Sequence, residues 1–119
     1  MALSERSERE LLDIVRAGDG GSGDGMLNKR TSDGAREAVL FYTAMCGTCQ
    51  VAERMLEVVQ ATGVPVPIHK LNISFAPVLR ERWQITSVPC LVLLEDGEPV
   101  LFEYVMRSVD HLYHLLKSS

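Results

Sequence analysis

Cys46 and Cys49, separated by Gly47 and Thr48, are the residues of this 119-residue chain best placed to do chemistry. Two thiols three positions apart can close a disulfide only where their Cα atoms approach within about 4–7 Å, an approach that the first turn of a helix provides. The run before them, Ala38-Val39-Leu40-Phe41-Tyr42-Thr43, is apolar and rich in strand formers. The run after them sets Val51, Ala52, Met55, Leu56, Val58 and Val59 at helical spacing, with Glu53, Glu57 and Gln60 on another, solvated face. Cys46 is therefore expected at or just before a helix start, where free N–H groups and the helix dipole favour a thiolate. Two chemistries suit such a pair: thiol–disulfide exchange and metal binding.

The rest of the composition narrows the setting. The length suits one domain with a single core, and 46% apolar content argues for a folded globule. Net charge is −4 and the basic residues are scattered, so no footprint for nucleic acid or an anionic membrane is present. No apolar run approaches the roughly 18 residues that span a bilayer. Met1 to Glu8 is charged where a signal peptide would be apolar, so a cytoplasmic protein is expected. Three cysteines are too few and too uneven for a secreted disulfide scaffold.

Three regions follow from the pattern. Residues 1–17 hold a short amphipathic helix, opened by the capping box Ser7-Glu8-Arg9-Glu10 and carrying Leu11, Leu12, Ile14 and Val15. Its apolar stripe must dock on the main domain or on a second chain. Residues 18–34 hold six of the nine glycines and read as a flexible loop. Residues 35–119 form the compact domain.

Within that domain the strand at 38–43 leads into a helix at 47–62, ended by Gly63 and Pro65. A strand follows at 66–73, then a short helix at 75–83 with Ser74 as N-cap and Phe75, Val78, Leu79 and Trp83 on one side. Cys90 to Leu94 reads as a central strand covered on both faces. Asp96-Gly97 signals a hairpin into a strand at 100–105, where Pro99 suits only an edge or a strand start. Ser108 caps a closing helix with Val109, Leu112, Leu115 and Leu116. The expected fold is an α/β sandwich: a central four-stranded mixed sheet flanked by helices, with the extra N-terminal helix.

The stretch Phe41-Tyr42-Thr43-Ala44-Met45-Cys46-Gly47-Thr48-Cys49, with Lys70-Leu71-Asn72-Ile73, Ile85-Thr86-Ser87-Val88-Pro89 and Leu93-Leu94-Glu95-Asp96-Gly97-Glu98, resembles thioredoxin over roughly residues 38–117. The resemblance implies a thioredoxin-like fold and a redox-active Cys46–Cys49 disulfide. Cys46 would be the nucleophile and Cys49 the resolving thiol. Pro89 would be a cis-proline, and the Val88 backbone would bind an extended substrate segment. Met45, Gly47 and Thr48 would complete the substrate face, with Met106 lining a groove and Trp83 at its rim. The partners implied are protein disulfides and an external reductase or small-thiol electron donor, with no cofactor and no resident metal. A monomer is expected.

Four positions depart from the family. Met45 stands where Trp is usual and Thr48 where Pro is usual. Arg54 replaces a kinking proline, and Leu40 replaces a buried aspartate, which removes a candidate proton acceptor for Cys49 and the partner of Lys70. These departures keep two other readings open: an adaptor with slow redox turnover, and metal or iron–sulfur binding through Cys46, Cys49 and Cys90. Cys90 is either a small core residue or a third thiol. His69 lies on a strand, and His111 and His114, at i and i+3, are expected on an exposed helix face.

Overall fold

The computed structural model describes residues 3–20 and 36–117. Its elements in order are β1 (Ser4–Glu5), α1 (Glu8–Gly20), β2 (Arg36–Tyr42), α2 (Gly47–Ala61), β3 (Ile68–Asn72), a 3₁₀ turn (Ile73–Phe75), α3 (Pro77–Arg82), β4 (Cys90–Glu95), β5 (Glu98–Glu103) and α4 (Val109–Lys117). The strands form one sheet in the order β1-β3-β2-β4-β5. The β1–β3 and β3–β2 pairs are parallel, and β2–β4 and β4–β5 are antiparallel.

Alternation along β2 divides the interior in two. Ala38 and Leu40 face α2 and α4, packing with Ala52, Leu56, Leu112 and Leu116. Val39 and Phe41 face α1 and α3, packing with Leu11, Leu79, Trp83 and Val92. All four β2 residues are fully buried, as a central strand with a helical layer on each face requires. Each buried leucine contributes about 1.5–3 kcal/mol of transfer free energy, so both layers are held mainly by apolar burial.

The four-stranded expectation is corrected to five strands. β1 is two residues long and both are exposed, so no alternation announces it. Its place is set by backbone pairing of Ser4 with His69 and Glu5 with Lys70, and by Leu3, which is buried in the α2-side core. Arg6 extends the anchor: its guanidinium lies 3.5 Å from Glu37 Oε1 and 3.3 Å from His69 Nε2. The helix that follows opens on the expected capping box. Ser7 N–H donates to Glu10 Oε1 at 3.0 Å, and Glu10 N–H donates to Ser7 Oγ at 3.2 Å. α1 then continues through Gly18 to Gly20, three residues past the expected end. The side chain of Val15 and the rest of the expected glycine loop, 21–34, lie outside the described residues.

Two further corrections concern caps. Asn72 Oδ1, not Ser74, starts the 3₁₀ turn by accepting from Ser74 N–H at 2.9 Å. α3 begins at Pro77, whose missing N–H costs nothing there. The Leu79 N–H in the first turn of α3 donates at 2.7 Å to Glu8 Oε2, a carboxylate supplied by α1. Phe75 and Val78 are exposed rather than aligned with buried Leu79 and Trp83. The β4–β5 hairpin turns at Asp96 (φ 55°) and Gly97 (φ 83°), the left-handed pair a tight primed turn demands. Pro99 sits on the edge strand, which starts two residues earlier than expected; a register shift between Leu93 and Leu94 accommodates it. Ser108 caps α4 as expected, its Oγ accepting from His111 N–H at 3.1 Å.

Leu11 is fully buried against this chain's own β2, α3 and β4, so α1 docks in cis. Leu11→Ala is expected to cost about 2–5 kcal/mol in urea denaturation. Docking in trans would instead give a loss that varies with protein concentration. His69 is held below its ordinary pKa of 6.5, chiefly by burial and next by the Arg6 charge. The unfolded chain then binds a proton more readily, so stability present above pH 6.5 is lost as pH falls below it. His69→Gln should flatten the decline in the denaturation midpoint between pH 7 and pH 5.

Candidate active site

β2 ends at Tyr42, and four residues later the chain enters α2 at the two cysteines. Cys46 is the N-cap of α2, in extended backbone conformation (φ −115°, ψ 109°), and its Sγ accepts from Cys49 N–H at 3.1 Å. The two sulfurs are joined as a disulfide with a Cα–Cα separation of 5.2 Å. Thr48 Oγ1 lies 3.4 Å from Cys46 Sγ. Cys46 is half-buried, Gly47 and Thr48 are exposed, and Cys49 is buried at 2% exposure. A reagent from solution therefore meets Cys46 first. The first turn of α2 carries no acidic residue to oppose the preference of a helix N-terminus for a thiolate.

The Val88–Pro89 peptide bond is cis. Val88 lines a cavity of about 300 Å³ together with Thr43, Ile73, Ser74, Ile85 and Thr86. Thr43 belongs to the loop carrying Cys46, so the cavity borders the disulfide loop. Met45 is 93% exposed on that loop. Trp83 and Met106 do not line that cavity. Trp83 is a core residue with edge-on contacts to Phe41 at 6.1 Å and Phe102 at 6.4 Å, and Met106 packs on the α2-side core.

Cys90 follows Pro89 but is fully enclosed at the start of β4, opposite Phe41. Burial pushes its thiol up to about 11, with a smaller opposing pull from the Tyr104 hydroxyl. The metal reading required Cys46, Cys49 and Cys90 as a set. Among the described residues, no three His, Cys, Asp or Glu side chains are gathered to hold an ion. The helical histidines each face a carboxylate instead: His111 lies 3.8 Å from Glu103, and His114 lies 3.6 Å from Asp110.

A polar group at the junction of α2 and the sheet, one helical turn beyond Cys49, is not legible from spacing alone. Lys70 Nζ lies 2.8 Å from Glu53 Oε2, with both side chains about one-fifth exposed. Glu53 is thus paired at the α2–sheet junction rather than solvated. Lys70 Nζ also lies 5.4 Å from the centre of the Tyr42 ring. The Tyr42 hydroxyl donates to the Glu5 carboxylate, 2.8 Å from the nearer oxygen. Burial pushes Tyr42 up to about 12, with further upward contributions from the Glu5 hydrogen bond and the charges of Glu5 and Glu53. The available signal was the i, i+4 spacing of Cys49 and Glu53.

A family model described as Thioredoxin matches residues 28–118. The thioredoxin-like protein YusE of Bacillus subtilis (strain 168) is 41% identical over 77 residues, which span 65% of this chain and 73% of that protein. A thioredoxin of Chlamydia caviae is 32% identical over 76 residues, spanning 64% of this chain and 74% of the relative. Among solved structures, a point-mutant thioredoxin from Halobacterium salinarum NRC-1 superposes with a TM-score of 0.71 at 27% identity, covering 98% of this chain and 88% of that one. Chloroplastic thioredoxin z superposes with a TM-score of 0.70 at 19% identity, covering 98% and 92%, a likeness of fold alone.

With its thiol raised to about 11, Cys90 holds roughly a thousandth of its population as thiolate at pH 8. Iodoacetamide added to the reduced, folded protein at that pH should label Cys46 and leave Cys90 unmodified, as read by peptide mass spectrometry. Labelling of Cys90 should appear only on unfolding.

Proposed function

We propose that this chain, which belongs to the thioredoxin family, reduces protein disulfides with Cys46 as nucleophile and Cys49 as resolving thiol. At the coarser level it is a thiol–disulfide oxidoreductase, as its family and its Cys46–Cys49 pair establish. The observation that carries the finer reading is the asymmetry of the pair at the start of α2, one sulfur reachable and the other buried.

The steps balance as an ordinary exchange. The Cys46 thiolate attacks one sulfur of a substrate disulfide, forming a mixed disulfide and releasing the other substrate sulfur as a thiolate. Cys49 loses its proton and attacks Cys46 Sγ. The bond between Cys46 and the substrate breaks, and the second substrate thiolate leaves. Two electrons have passed to the substrate, and the Cys46–Cys49 disulfide remains. An external reductase or a small thiol returns the electrons, so the exchange calls on no resident cofactor.

A substrate would lie extended across Val88 and Pro89, adding a short strand through the Val88 backbone. Met45, Gly47 and Thr48 would contact it around the disulfide. The exposure of Met45 supports this reading, since an unbranched thioether adapts to varied apolar side chains. The activity suits a reducing compartment such as the cytoplasm. Among the described residues no helix is long and apolar enough to cross a membrane.

The adaptor reading also retains one observation in its favour: the fully buried Leu40 stands where the family's strand carries a carboxylate, which would slow turnover. Insulin reduction driven by a chemical reductant separates the two. Turnover at many cycles per hour, abolished by Cys46→Ser, is expected for the reductase; a rate equal to the reductant alone would leave the adaptor. Cys49→Ser should accumulate mixed disulfides through Cys46, and equal adduct levels in the wild-type chain would sink the resolving role.

A further inference from the structure

Cys49 is buried, and its thiol must lose a proton before it can attack Cys46. A buried thiol needs an acceptor within reach, because hydroxide and buffer arrive slowly at a covered group. On the sheet, the row facing α2 at this level is Glu5 on β1, Lys70 on β3 and Leu40 on β2, set by the pairings Glu5 with Lys70 and Leu40 with Lys70. Leu40 accepts no proton. Lys70 rises from this row to meet Glu53 of α2 at 2.8 Å.

Glu53 is four residues beyond Cys49, one helical turn on, and so shares its face of α2. Helical side chains lean toward the N-terminus, so the Glu53 carboxylate leans over the turn that carries Cys49. The contact with Lys70 fixes that carboxylate on the sheet side of the helix, the side on which Cys49 is buried. Tyr42 supports the arrangement from β2, its ring beside Lys70 and its hydroxyl tied to Glu5.

We propose that Glu53 is the proton acceptor for Cys49 in the resolving step, with Lys70 as the residue that positions it. The inference rests on the reading of Cys49 as resolving thiol. In the step, the Cys49 S–H proton passes to the Glu53 carboxylate as Cys49 Sγ bonds to Cys46 Sγ. The electron pair of the broken Cys46–substrate bond leaves with the substrate sulfur. The proton on Glu53 is then released to solvent at its one-fifth-exposed edge.

The test uses the reduced full-length chain and 5,5′-dithiobis(2-nitrobenzoate), which reports each step as one released thionitrobenzoate. Attack by Cys46 releases the first and resolution by Cys49 releases the second. Glu53→Gln should leave the first phase within about 2-fold of wild type at pH 7 and slow the second by about 10-fold or more. The deficit should shrink as pH rises toward 9, where solvent takes the proton unaided. Glu53→Asp should recover part of the rate, and Lys70→Met should slow the second phase by less than Glu53→Gln while shifting the same pH profile. The charged and titratable groups around Glu53 are Lys70 on β3, Tyr42 on β2, Glu5 on β1 and Glu57 one turn further along α2. Tyr42, pushed up to about 12, stays protonated across the range.

A second phase equal to wild type at every pH in Glu53→Gln overturns the inference, whatever Lys70→Met does. Equal slowing of both phases with no pH dependence also overturns it, because that is the signature of a structural role. A wild-type chain that stops after the first release removes the resolving role itself, a failure distinct from either.

Discussion

The full burial of the middle of β2, Ala38 to Phe41, is the constraint on which the rest of the structure depends. Ala38, Val39, Leu40 and Phe41 are all solvent-free, and each successive side chain enters the opposite core. A slip of one residue would move every one of them to the wrong layer. Because β2 pairs with β3 on one side and β4 on the other, its register sets theirs. The same register decides where β2 stops, and so where Cys46 meets the first turn of α2. The reactive pair is placed by the most tightly determined element of the sheet, while its sulfurs sit at the end of that element, beyond the apolar layers.

That arrangement also sorts the charges. Both cores exclude charged side chains among the described residues. On the α1 side, Arg6, Glu37 and His69 close the outer end of the β1–β3–β2 layer. On the α2 side, Glu5, Tyr42, Lys70 and Glu53 gather where α2 meets the sheet. β1 and the Arg6 that follows it contribute to both groups. The segment Glu5–Arg6 brings one acid and one base to two different clusters, and Leu3 in the core supplies the apolar anchor that holds it there.

Legibility in the sequence followed the range of each interaction. The strand-to-helix junction at Cys46, the capping box at Ser7, the Asp96-Gly97 turn and the Ser108 cap are written within four residues of themselves, and all were readable. β1 was not, because two exposed residues carry no periodicity and their partners lie more than sixty positions away. The start of α3 is not legible because its first-turn amide is satisfied by Glu8, seventy-one residues distant, rather than by a neighbouring hydroxyl. The edge-on contacts of Trp83 with Phe41 and Phe102 are not legible either, because they join residues more than fifteen positions apart through the sheet. Glu53 looked solvated because helical spacing alone says nothing about which strand residue rises to meet it.

The Glu53 case shows how a thiol site can tolerate a buried leucine on β2. A carboxylate on a central strand would be enclosed by apolar neighbours and costly to ionise, because burial disfavours the charged form. A carboxylate on α2 reaches the same region from the helix side, keeps about one-fifth of its surface in water, and has Lys70 as a counter-charge. Leu40 meanwhile packs with Ala52 and Leu56, binding α2 to the sheet more firmly than a polar residue would. Packing and proton transfer are then carried by separate residues, Leu40 of the sheet row for the first and the Lys70–Glu53 pair between that row and α2 for the second. Changes to one function need not disturb the other, which is the physical advantage of dividing them.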